Sequence, residues 1–128
     1  MNLSLRFFVL IISVVSCISG IVQMVSPGFV LDFIGANITP TSAHFFGIVG
    51  MFMTLFGGLM IHAIYSVHPN QVAVLWCALQ KLGAFAAVGL GIFNDVFSMI
   101  AAAVALFDLF SGILFLYYLK TLKSGEAA

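Results

Sequence analysis

Apolar residues run almost without interruption through four stretches of the chain, and polar residues collect in the gaps between them. The first stretch goes from about Leu5 to Met24, the second from about His44 to Tyr65, the third from about Gln71 to Phe93 and the fourth from about Phe97 to Leu119. Runs this apolar carry no readable period. Each is about 20 residues long, which suits a spanning helix and is twice the length of a spanning strand. Backbone polar groups in lipid must find partners within the chain, and helices supply them. The pattern predicts an all-α integral membrane four-helix bundle, antiparallel and up-down-up-down, forming one transmembrane domain over residues 1–128.

The gaps carry turn chemistry. Pro27-Gly28 closes the first run, the hydroxyls of Thr39-Pro40-Thr41-Ser42 suit a helix N-cap, and His68-Pro69-Asn70 and Asn94-Asp95 read as tight turns. The longest gap, residues 26–42, sets Phe29, Val30, Phe33 and Ile34 around a single charge, Asp32. That pattern predicts a short helix at the membrane interface, with a substrate-gating lid as the alternative.

Composition fixes the class. The chain is 63% hydrophobic and 6% charged, against about 25% charged in soluble domains. The lipid bilayer is therefore its first partner. Arg6, Lys120 and Lys123 fall on the side of both termini and Asp32 and Asp95 on the other, so both termini are expected in the cytoplasm. So few cations give no electrostatic basis for binding nucleic acid. Val14-Val15-Ser16-Cys17 resembles a lipoprotein cleavage box, but the apolar run continues through Ile21 and Val22, and a retained first helix is expected. Asn37-Ile38-Thr39 matches a glycosylation acceptor, weakened by the Pro40 that follows.

Each run holds a stripe of small or polar residues, spaced by three or four residues except at the neighbours Ser111 and Gly112. The stripes are Ser13, Ser16, Gly20 and Gln23; His44, Gly47, Gly50, Thr54, Gly58 and His62; Lys81, Ala84, Val88 and Gly91; and Ala101, Ala105, Asp108, Ser111 and Gly112. Membrane helices associate through close backbone approach at small residues and shared hydrogen bonds, so the stripes are expected to face one another. Many of the 14 Phe residues are then left to lipid or to partner helices.

Lys81 and Asp108 are full charges in the middle of the third and fourth runs, each about 13 residues from the Asn94-Asp95 turn. A hairpin brings both to one depth, about 20 Å from the turn. A lone charge at that depth is costly, so the two are expected as a buried ion pair. One reading makes the pair a structural device that fixes which faces of the helices meet. The other makes it a polar functional site, with Gln80, Ser111, Thr54 and His62 as candidates to line a cavity around it.

Other chemistry is thin. His44 and His62 stand 18 residues apart on one helix, about 27 Å, and cannot share a metal ion, while His68 sits in a turn; no metal site is expected. Cys17 and Cys77 lie at different depths, which disfavours a disulfide. No Cys-x-x-Cys pair, nucleophile elbow or phosphate loop is present, so no catalytic residue is assigned.

Arg6, the Pro27-Gly28 break with its amphipathic segment, the Gly47, Gly50 and Gly57-Gly58 pattern and the helices bearing Lys81 and Asp108 together resemble the small DoxX-like four-helix membrane proteins of bacteria. The resemblance covers most of the chain and implies association with a quinone-linked oxidoreductase. Where a carboxylate is expected in helix two of that family, this chain has Thr54 and glycines. Fluoride channels and small multidrug transporters share the length but not the motifs.

Two function classes follow. One is a non-catalytic accessory or scaffolding subunit that packs against other membrane subunits or itself, with no cofactor of its own beyond contact with quinone, pigment or lipid. The other is a small transporter, channel or lipid-modifying enzyme with a polar cavity around Lys81 and Asp108.

Overall fold

The computed structural model describes residues 3–125, and these form five helices with no strand among them: α1 Leu3–Val25, α2 Pro27–Phe33, α3 Pro40–Tyr65, α4 Gln71–Phe93 and α5 Ala101–Lys123. Four of the helices are long and apolar enough to cross a membrane. At 23 residues, α1, α4 and α5 are each about 35 Å long, more than the hydrocarbon core of about 30 Å. The short α2 caps one end.

Helix starts follow from local chemistry. Thr39 and Ser42 form a reciprocal capping box, Thr39 Oγ1 accepting from the Ser42 N–H at 3.0 Å and Ser42 Oγ from the Thr39 N–H at 2.9 Å. Pro40 occupies the first turn, where its missing N–H costs nothing. The span therefore begins at Pro40, ahead of the His44 expected. Asn70 caps α4 through its side chain, which accepts from the Ala73 N–H at 3.1 Å.

The fourth span differs more, beginning at Ala101 and not at Phe97. The intervening residues build an elbow. Asp95 turns it with φ of 58°, the N–H groups of Val96 and Phe97 both donate to the Gly91 carbonyl, and Ser98 donates twice to the Ile34 carbonyl, from N at 2.8 Å and from Oγ at 3.0 Å. Phe97 packs its ring against Gly91. Residues that look like apolar span are consumed in docking the α4–α5 turn onto the end of α2.

The spans associate as two tight pairs, α1 with α3 and α4 with α5, which touch through α3–α4 and α1–α5. In the first pair the backbones meet directly: a Cβ on Gly50 would lie 2.7 Å from the Gly20 carbonyl oxygen, and one on Gly57 2.9 Å from that of Ser13. Such spacing needs glycine. The residue that faces α1 here is Gly57; the expected Gly58 is exposed with open space around it, because one residue is a 100° turn about the helix axis. In the second pair Gly112 receives the Leu82 side chain.

Two apolar cores result. The larger joins Val9 and Ile12 of α1, Met60 and Ile64 of α3, Val74 and Ala78 of α4, and Phe115 and Tyr118 of α5. The smaller, at the α2 end, is built on Leu31, Ile34 and Ala101. Between them along the helices lies a layer of buried polar residues.

Candidate functional site

That layer comprises Ser13 and Ser16 of α1, Lys81 of α4, and Asp108 and Ser111 of α5, all buried. Lys81 is the centre. Its Nζ lies 3.4 Å from Asp108 Oδ1 and donates to it, with 5% of the lysine and 8% of the aspartate exposed. The sequence-derived pairing is thus present as geometry. It is reached differently from the expected symmetrical hairpin, however. Asp108 is only seven residues into α5, so the elbow between the helices supplies the remaining rise.

Lys81 also reaches across the bundle. Its Nζ donates to Ser16 Oγ at 2.5 Å and stands 5.3 Å from the centre of the Phe107 ring. Ser16 in turn donates to the Ile12 carbonyl at 2.9 Å, so its hydroxyl is both donor and acceptor. A single ammonium thereby links three of the four spans, joining the α1–α3 pair to the α4–α5 pair. Phe107 adds a cation–π contact that requires no further polar atom in the interior.

A gap of about 10 Å³ lies beside Lys81, lined by Ser13, Ser16, Gly57, Cys77 and Gln80 among others. Its size is that of about one water molecule. Of the residues proposed to line a cavity, Gln80 alone borders this gap. Ser111 is buried nearby on α5, but its Oγ donates within the helix to the Phe107 carbonyl at 2.7 Å. Thr54 belongs elsewhere: its Oγ1 donates to the Gly50 carbonyl at 2.9 Å, and its own carbonyl accepts from Cys17 Sγ at 3.4 Å, both at the α1–α3 seam. His62 is exposed on the last turn of α3. These two are removed from the site by helix phase, since only one face of α3 is turned toward Lys81.

Sequence reading missed Ser16 as the third member of the cluster. Its place in the small-residue stripe of α1 marked the face, yet nothing in the sequence named its partner. Cys17 and Cys77 are free thiols. Arg6 is likewise engaged, donating from Nη2 to the Ile64 carbonyl at 3.1 Å and lying 5.3 Å from the Tyr65 ring centre. It therefore satisfies a carbonyl in the last turn of α3, where a cation is favoured.

Comparison with protein-family models, with curated proteins and with solved structures gives no match for this chain.

Proposed function

We propose that the chain is a non-catalytic membrane subunit, a small scaffold whose outer faces pack against other membrane helices or hydrophobic cofactors. The observation that carries this reading is the inward use of Lys81, the one buried cation among the described residues. Lys81 is held by Ser16, Asp108 and Phe107, and the gap beside it is of water size. A hydrated ion or an organic substrate needs more room than that. Large apolar side chains point outward from every span, among them Phe7, Phe45, Trp76 and Phe110. The DoxX-like resemblance agrees with such a role beside a membrane oxidoreductase.

The test is the neutral pair Lys81→Met with Asp108→Leu, made in the native host. The double variant is expected to insert, fold and migrate in the same detergent-solubilised assembly as the wild type. A double variant that assembles normally but has lost the biological activity dependent on this chain contradicts the scaffold reading. It would support the transporter or enzyme reading, in which Lys81 and Asp108 act on a substrate.

A further inference from the structure

Where α1 ends beside the start of α3, an open groove of about 450 Å³ is bordered by Met24, Pro27, Pro40, His44, Gly47 and Met51 among others. That volume falls in the range of small-molecule sites, about 300 to 1,000 Å³. Helix α1 is followed by Pro27, which has no N–H, so the Gln23 carbonyl lacks the donor that a continuing helix would give it. This carbonyl and that of Met24 both face Gly47: a Cβ there would lie 3.8 Å from the Met24 oxygen and 4.0 Å from the Gln23 oxygen. Met24, which borders the groove, thus brings a carbonyl acceptor to it at the negative end of a helix dipole, with the Gln23 carbonyl beside it.

Polarity changes along the groove. At one end stand the exposed His44 and, just before it, the polar run Asn37 to Ser42 that caps α3. Seven residues further, about 10 Å along the helix, the lining is Met51. An amphiphile aligned with the spans meets the same gradient at the boundary of a bilayer.

We propose that this groove binds a phospholipid with a phosphoethanolamine head group. The head group folds back on itself: the His44 ring, nearest the membrane surface, donates to the phosphate, the primary ammonium turns one helical turn deeper to donate to the Met24 and Gln23 carbonyls beside Gly47, and one acyl chain lies along Ile48 and Met51. A phosphocholine head group has no N–H to offer the carbonyls and is the weaker ligand. The proposal depends on the chain residing in a membrane and not on the scaffold role.

The test uses native mass spectrometry of the full chain in mild detergent, given equal amounts of dioleoyl phosphatidylethanolamine, phosphatidylcholine and phosphatidylglycerol. Phosphatidylethanolamine is expected to be retained about tenfold over phosphatidylcholine, the effect of one hydrogen bond from a charged donor. Gly47→Leu fills the groove and is expected to abolish retention. Gly58→Leu, on the same helix where no atom lies within 4 Å of a Cβ, keeps it. His44→Ala, at an exposed position, is expected to weaken retention several-fold and decides the matter should Gly47→Leu fail to fold. Equal retention of the ethanolamine and choline lipids, preference for phosphatidylglycerol, or wild-type retention by a folded Gly47→Leu variant overturns the proposal.

Discussion

An ammonium inside a bilayer must replace the hydration it loses, and Lys81 does so with a hydroxyl, a carboxylate and an aromatic face. Ser16→Ala removes the closest of these partners while leaving the carboxylate in place. It is expected to destabilise the protein by about 1 to 3 kcal/mol, the effect of removing one partner from a buried charged hydrogen bond. Thermal unfolding in detergent reads this directly, and an unchanged midpoint would mean that Ser16 contributes nothing to holding the lysine. The two charges were legible in the sequence because each interrupts an apolar run. Ser16 was not, because hydroxyls in membrane helices satisfy themselves by bonding to the carbonyl four residues back, as Ser13 does to Val9 at 2.8 Å. A serine that also accepts from a lysine on another helix looks the same in sequence as one that does not.

At the scale of the element, glycines decide how closely helices approach, and their phase matters more than their number. Gly50→Ala sets a methyl group 2.7 Å from the Gly20 carbonyl oxygen, a backbone atom that cannot swing aside. The variant is expected to lose about 1 to 3 kcal/mol through overpacking. Gly58→Ala meets open space and is expected to hold or raise the unfolding midpoint, since alanine is the better helix former. Thermal scans of the two variants side by side check the pair, and equal effects would show that the α1–α3 seam is not packed on Gly50. The four spans and the small α2 were readable from run length and turn residues. The start of α5 was not, because Phe97, Met99 and Ile100 are as apolar as a span, and the bonds of Val96 and Phe97 to Gly91 and of Ser98 to Ile34 are what show an elbow there.

At the scale of the whole molecule, two backbone-packed pairs are joined across a thin polar layer that lies between two apolar cores. We propose that this body sits with its Arg6, Lys120 and Lys123 end toward the cytoplasm. With Cys17 and Cys77 first replaced by Ser, a cysteine at Asn94 is expected to react with a membrane-impermeant maleimide on intact cells, while one at Ser124 reacts only after the cells are opened. The reverse labelling pattern would invert the molecule in the membrane without altering its fold. In the polar layer Lys81 of α4 donates across to Ser16 of the other pair and, within its own pair, to Asp108 of α5. The account therefore rests on Lys81 and Asp108 depending on each other.

A double-mutant cycle of Lys81→Met and Asp108→Leu, followed by unfolding in detergent, measures that dependence most directly. Each single variant is expected to lose about 3 to 5 kcal/mol, because it strands the other charge in the interior, while the double variant recovers most of the wild-type stability. Losses that simply add would contradict the pairing of the two groups as opposite charges within the bundle.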